Sequence, residues 1–312
     1  MNRIMNDINS PLVSIGLPIV KCDFLKSAID CCTAQTYFNI EIVVVNNGKT
    51  AEIRNEIKRV VNEVTDNRIR YYENTSQLSI IENWNKTLSL ATGEFFAILC
   101  DDDYWEPAFI QAMVDLSLKY PSTNVFHSRV MTIDENNSPL DISQVCPEFE
   151  SCLDFIYNRI SGNRIQFLSD FMVRTAVLKS INGFAALPGG WGSDDITWFL
   201  MSENGGIVYV NKPLFYYRDS SLSVTNSMNK QIKLDATDKY IGYMTEIVQR
   251  QNESDIQTLL LKKKITTELI HLRRSRYYQY TSDLFKSKYN LTGQFLKLAM
   301  LIYRIKFKLF NN

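Results

Sequence analysis

Short β-branched runs alternate with helically spaced segments through about the first 100 residues, and this alternation restricts the chain to a parallel α/β architecture. Leu12-Val13-Ser14-Ile15-Gly16-Leu17-Pro18 reads as a buried strand ended by its proline, which has no N–H to give to a ladder. Phe24, Leu25, Ala28, Ile29 and Cys32 recur at helical spacing, and a second strand over 40–45 runs into the turn signal Asn46-Asn47-Gly48. A helix over about 52–64, a strand at 69–72 and a helix over 83–91 stopped by Gly93 continue the order. The apolar strand 94–99 then delivers Cys100-Asp101-Asp102-Asp103 at its carboxyl end, the edge where open parallel sheets bind ligands.

Beyond Pro107 the pattern predicts a helix to Tyr120, a strand over 124–133, a polar loop through Pro139 and a mixed region up to Trp198. A returning strand follows over 205–217, and the chain is almost wholly helical past about residue 230. At 312 residues and 45% hydrophobic content there is enough chain for one broad α/β domain with an appendage, or for two small domains. No apolar run is long enough for a signal peptide core or a spanning helix, so the expected location is cytoplasmic. The six cysteines form no paired CxxC pattern, and His127 and His271 stand far apart, which argues against a zinc site. Formal net charge is zero, yet residues from Lys262 onward carry 12 basic and two acidic side chains, whereas the preceding part carries 22 basic and 32 acidic. Body and tail therefore meet different partners.

Three adjacent aspartates at a strand end repel one another, and a divalent cation with oxygen ligands relieves that conflict. The alternative is a solvated acidic turn in which Asp103 caps the helix that follows. A second acidic stretch, Gly192-Ser193-Asp194-Asp195-Ile196, offers either a general base or a cap for a helix starting at Ile196. Trp191 and Trp198 supply flat apolar faces; contact with a sugar ring is expected for Trp191 alone, since an aromatic at helical spacing is more often core.

The run Pro11-Leu12-Val13-Ser14-Ile15, then Phe24-Leu25, Ala28-Ile29, Gln35-Thr36-Tyr37 and 41–45, resembles the opening of family 2 glycosyltransferases. Asn85, Ala91, Gly93-Glu94, Asp101-Asp102-Asp103 and Trp105-x-Pro107 follow at that family's spacing, over roughly the first 220 residues. The resemblance implies an α/β fold of GT-A type, a Rossmann-like mixed sheet flanked by helices, here with a helical C-terminal extension. Residues 1–225 are then the transferase domain, with a donor half over about 1–106 and an acceptor half over about 107–225, and residues 226–312 are the basic helical extension.

It further implies inverting transfer from a nucleotide-sugar, UDP-linked by preference, with Mn2+ or Mg2+ as cofactor. The acceptor is a glycan or lipid-linked saccharide, in bacterial surface polysaccharide synthesis. Asp102 and Asp103 match the metal position, and Asp101 lies near the ribose and diphosphate. Pro18 borders the nucleoside. Asn46 and Asn47 stand where the family usually has aspartates, one of which binds the nucleobase, and Asn85 belongs to the same donor set. Many members have an aspartate where this chain has Cys100. Asp194 aligns with the catalytic base, with Asp195 its competitor because the register is open by one residue. Arg218, in Tyr217-Arg218-Asp219, either forks onto the diphosphate or forms a surface ion pair, and the histidine that often follows it is missing here. Other expected partners are an anionic membrane surface met by the tail over 295–310, which would put the protein on the inner face of the membrane, the alternative being a tail helix docked on the body or on a second subunit, and a second copy of the chain; nucleic acid is not among them. A catalytically inactive glycan- or partner-binding module of the same fold is the rival reading. A nucleotidyltransferase is disfavoured because Ile19-Val20-Lys21-Cys22 forms no glycine-rich phosphate loop.

Overall fold

The computed structural model describes residues 10–220, 228–253 and 255–289, together with 298 and 301. The chain divides into two compact units, one of Met1–Ala186 with Ser193–Ser220 and the other of Leu187–Gly192 with Ser221–Asn312. The tail read over 295–310 lies outside the described residues, apart from 298 and 301.

The first unit is built on a ten-stranded mixed sheet. Its parallel part follows the alternation in the sequence: β1 (Val13–Ile19), α1 (Leu25–Thr33), β2 (Ile40–Asn46), α2 (Ala51–Asn62), β3 (Ile69–Glu73), α3 (Ile80–Leu90) and β4 (Phe95–Ile98). β1 lies between β2 and β4, with Val13 opposite both Ile40 and Phe95 and Gly16 opposite both Val43 and Ile98. β1, β2 and β4 are buried along their whole length, as strands covered on both faces must be. Gly16 allows α3 to come close to β1, since a Cβ there would stand 2.7 Å from the Thr87 Cγ2 and 2.8 Å from the Phe96 ring. Pro18 does not end β1: it pairs opposite Val45, and the strand continues to Ile19. The sheet tolerates the ring because β4 accompanies β1 only as far as Gly16.

A buried carboxylate ties this half together. Glu41 on β2 accepts from Ser14 Oγ on β1 at 2.5 Å and from Thr92 N and Oγ1 at 2.7 and 2.8 Å, and it pairs with Arg70 on β3. Burial works to raise its pKa, but the bonds from Ser14, Thr92 and Arg70 outweigh it and hold the carboxyl below its ordinary value.

The part of the chain past β4 proves richer than the mixed region suggested. After β5 (Tyr104–Trp105), α4 (Phe109–Lys119), β6 (Val125–Ile133), β7 (Pro139–Ile142) and β8 (Phe149–Glu150) come α5 (Cys152–Ile160), β9 (Phe171–Arg174), α6 (Thr175–Ser180), α7 (Ser193–Ser202) and β10 (Ile207–Arg218). The strand order is β3-β2-β1-β4-β9-β6-β10-β5, with β7 on β6 and β8 on β10. β9 is antiparallel to both neighbours, β4 and β6, so it reverses the sheet between the two halves. Trp198 is 1% exposed and packs on Phe171 and Phe184, as its core assignment requires.

The second unit is a helical hairpin of α8 (Lys230–Arg250) and α9 (Ile256–Tyr289) with the turn 187–192 packed on α8. Leu234, Ala236, Tyr240, Met244, Ile247 and Val248 from α8 and Ile265, Leu269 and Tyr280 from α9 are buried in it. Arg273 pairs with Asp238 at 2.9 Å across the hairpin. Gly192, at φ +78°, lies so close to Tyr240 that a Cβ would stand 2.7 Å from its ring. Among the described residues no helix is long and apolar enough to cross a membrane.

Candidate active site

β4 ends at Ile98 and the chain turns through 99–103 before β5, so the three aspartates stand at the carboxyl edge of the parallel strands, beside the loop that leaves β1. Each has a different environment. Asp101, 5% exposed, accepts from the backbone N–H of Val20 at 2.8 Å and of Lys21 at 3.0 Å, which staples the acidic loop to the β1 loop. Asp103, 4% exposed, accepts from Ser169 Oγ at 3.0 Å and from Arg218 N–H at 3.2 Å. Asp102 pairs with Lys21 Nζ at 2.7 Å. Asp103 does not cap the next helix; α4 begins at Phe109 after Ala108, with no side-chain cap.

Burial first, and then the charge of Asp102, pushes the Asp101 carboxyl up to about 6 and the Asp103 carboxyl well above its ordinary value. Cys100 Sγ and the carboxylates of Asp102 and Asp103 have donor atoms within 4.8 Å of one another. Burial and neighbouring carboxylates hold the protons of Cys100 and Asp103 tightly, and with Asp102 they form a donor set that fits a divalent cation, whose charge would favour the deprotonated ligands.

Ser169 is the hub that the sequence pattern did not reveal. Its hydroxyl donates to Asp103, accepts from Cys100 N–H at 3.1 Å, and its carbonyl accepts from Trp105 Nε1 at 2.6 Å. Trp105 in turn stacks on Phe109 at 4.4 Å. Arg218 closes β10 and is 2% exposed, so it is not a surface ion pair. Its guanidinium donates to the carbonyls of Asp102 at 2.8 Å and Asp134 at 3.0 Å and lies 4.2 Å from the Phe24 ring centroid. This arginine braces the acidic loop.

Asn46 and Asn47 are buried at the end of β2 and engaged internally. Asn46 donates to the Arg54 carbonyl and Tyr71 hydroxyl, and Asn47 bonds both ways with Leu78 while accepting from Asn74. Neither they nor Gly48 adopts a positive φ, so side-chain bonding rather than left-handed backbone shapes this turn. Asn85 accepts from Phe184 N–H at 2.9 Å and rests against Gly183, where φ is +81°. Pro18 is buried within β1.

The second acidic centre opens α7, which starts at Ser193, three residues earlier than expected. Asp195, 3% exposed, takes both of its oxygens to Arg159 Nε at 3.0 Å and accepts from Gln166 Nε2 at 2.7 Å. Asp194 is half-buried; burial, then the charge of Asp195, pushes its carboxyl up to about 7. A base with its pKa near neutrality is matched to taking a proton from a hydroxyl. Arg159 on α5 and Gln166 lie 36 and 29 residues away in sequence, and no local pattern flagged them. Behind them Arg164, 1% exposed, pairs with Glu150 and His127, and His127 Nδ1 lies 3.4 Å from Asp170. Trp191 belongs to the helical unit, where Lys233 Nζ stands 4.4 Å from its ring centroid.

Comparison with known proteins places this arrangement. The chain is 35% identical over 138 residues to an uncharacterized glycosyltransferase of Rickettsia felis, a match covering 43% of the chain and 22% of that relative, so it spans only a minor part of the relative's length. Among solved structures it resembles S. aureus TarS 1-349 in complex with UDP-GlcNAc, at TM-score 0.63 and 13% identity, covering 88% of the chain and 80% of that protein. It also resembles a mannosyltransferase from Pyrobaculum calidifontis in complex with GDP-Man and Mn2+, at TM-score 0.57 and 12% identity, covering 97% and 82%. The fold is thus of GT-A type, with a C-terminal helical part. The model of glycosyl transferase family 2 matches residues 14–176, just over half of the chain, and includes the acidic loop. With the sheet, the acidic loop and the family model in agreement, the chain belongs to glycosyl transferase family 2.

Proposed function

We propose that this chain is a glycosyltransferase that moves a monosaccharide from a nucleoside-diphosphate-sugar, UDP-linked by preference, to a hydroxyl of a saccharide or lipid-linked saccharide, with inversion. The observation that carries the reading is the pair of unlike acidic centres in one unit: a buried aspartate loop at the carboxyl edge of β1 and β4, and a carboxyl raised to about 7 at the start of α7. The two structural neighbours were solved with UDP-GlcNAc and with GDP-Man and Mn2+, which supports the donor class and the cation.

In this reading Asp102 and Asp103 hold Mn2+ or Mg2+, which when bound neutralises the diphosphate leaving group. Asp101 fixes the β1 loop beside the nucleoside, with Pro18 at its border and Asn46, Asn47 and Asn85 shaping the pocket walls through the bonds described above. Arg218 keeps the loop in place from below. Asp194 accepts the acceptor proton as the new glycosidic bond forms, because a sugar hydroxyl is too weak a nucleophile unaided. Asp195, held by Arg159 and Gln166, keeps the start of α7 in position. Trp191 is the proposed aromatic contact for an acceptor ring.

The acceptor belongs to bacterial surface polysaccharide synthesis, and the basic tail past Lys262 brings the enzyme to the anionic inner face of the membrane, each cation contributing about 1 kcal/mol near such a surface. A second copy of the chain is the remaining proposed partner. Thermal unfolding against a panel of nucleotide-sugars, with and without Mn2+, tests the donor class: a true donor raises the midpoint only with the cation present. A panel in which nothing shifts the midpoint refutes the reading.

A further inference from the structure

The acidic loop carries its own cation. Asp101 and Asp103 are bound by hydrogen-bond donors of the fold, from the backbone of Val20, Lys21 and Arg218 and from the Ser169 hydroxyl. Asp102, one of the two aspartates assigned to the metal, instead faces the Lys21 ammonium at 2.7 Å, with only 15% of its side chain and 19% of the lysine's exposed. An acidic loop of this kind would repel itself if left bare, and Lys21 supplies the missing positive charge.

Lys21 and Arg218 differ in what they can do next. Arg218 is buried and fixed by the carbonyls of Asp102 and Asp134. Lys21 is pinned at its backbone N–H by Asp101, but its charge sits at the end of a flexible four-carbon stem. A divalent cation binds carboxylate oxygen at about 2.1 Å, so cation and ammonium on one carboxylate would stand within direct repulsive range. A diphosphate beside Asp102 would offer the released ammonium new oxygens.

Resting on the reading of Asp102 as a cation ligand, we infer that Lys21 is the built-in counter-ion of the cation site: it holds Asp102 while the site is empty, yields that carboxylate to the incoming cation, and turns to the donor diphosphate. The cation accordingly binds weakly by itself and strongly together with the nucleotide. The two ligands are coupled through one side chain. Lys21 is thus a positioning residue for cation and donor alike.

The test is Mn2+ binding to the full chain, followed by the electron spin resonance of the free ion, for the unaltered protein, Lys21→Met, Lys21→Gln and Lys21→Arg, each with and without UDP or GDP. Without nucleotide, the Met and Gln variants should bind Mn2+ about tenfold more tightly than the unaltered chain, a coupling of ordinary size, and the Arg variant should not. In the presence of Mn2+ the same two variants should bind nucleotide about tenfold more weakly. A purely structural lysine would give no gain in Mn2+ affinity. Equal Mn2+ affinity of the unaltered chain and both uncharged variants, with uptake intact, overturns the role of Lys21 and leaves the cation site standing. No Mn2+ uptake by any form, even with nucleotide, removes the cation reading and the counter-ion with it.

Discussion

The two acidic centres solve one physical problem in opposite ways. At the acidic loop the outer carboxylates, Asp101 and Asp103, are bound by the fold, and the middle one, Asp102, is left to an exchangeable lysine. At the start of α7 the second carboxylate, Asp195, is bound by Arg159 and Gln166, while its neighbour Asp194 keeps a proton-accepting group near neutrality. In both, one carboxylate stands apart from neighbours that donors of the fold hold in place. In the proposed function the difference lies in charge: the first centre would receive a cation, the second a proton.

The largest effect should come from Asp102→Ala, which we expect to lower transfer by on the order of 10³-fold or more, since it removes the proposed cation ligand. Initial rates at saturating Mn2+ would check it, with circular dichroism confirming that the fold survives. Asp194→Asn should cost about 10²- to 10⁴-fold in rate. In the unaltered enzyme the rate should rise with pH through about 7, because Asp194 must lose its proton to act as base. The same shift has a consequence for stability. The folded carboxyl holds its proton above the ordinary 3.8, so this group's contribution to stability falls as pH rises from there to about 7.

Asp195→Asn sharpens the contrast, because it should act through folding. It leaves Arg159 without its carboxylate and should cost about 2 kcal/mol in chemical denaturation, less than a fully buried pair because Arg159 reaches solvent. Should Asp195→Asn instead lose the rise of rate with pH while Asp194→Asn keeps it, the two roles are exchanged. The smallest expected effect is at Glu41, remote from both centres. Glu41→Gln should destabilise by about 1–2 kcal/mol above pH 5, and the difference should shrink as pH falls below the ordinary carboxyl value of 4.5, where the unfolded chain takes up a proton that the folded carboxyl, held below that value, binds only at lower pH.

Much of the first half was legible in the sequence because its signals are local. Apolar runs at 13–19, 40–46 and 95–98 stand out from helically spaced segments, and a strand leading into consecutive aspartates marks the ligand edge of the sheet. Boundaries slipped where one residue type carries two meanings. Pro18 reads as a strand end but sits within β1 beside a shorter neighbour, and α3 starts at Ile80 because Ser79 and Glu82 form a capping box that spacing alone overlooked. The supports of both centres were not legible. Lys21, Ser169, Arg159 and Gln166 meet their aspartates across 81, 66, 36 and 29 residues of chain, brought together only when β1 pairs with β4, β9 reverses the sheet and α5 is placed against α7.

The division of labour between the two centres is tested most directly by measuring nucleotide-sugar affinity by isothermal titration calorimetry, with and without Mn2+, in the unaltered chain, Asp102→Ala and Asp194→Asn, alongside transfer to acceptor. The account predicts that Asp102→Ala loses both cation-dependent binding and transfer, and that Asp194→Asn retains the binding and loses the transfer. Cation-dependent binding unchanged in Asp102→Ala, or transfer unchanged in Asp194→Asn, would contradict it.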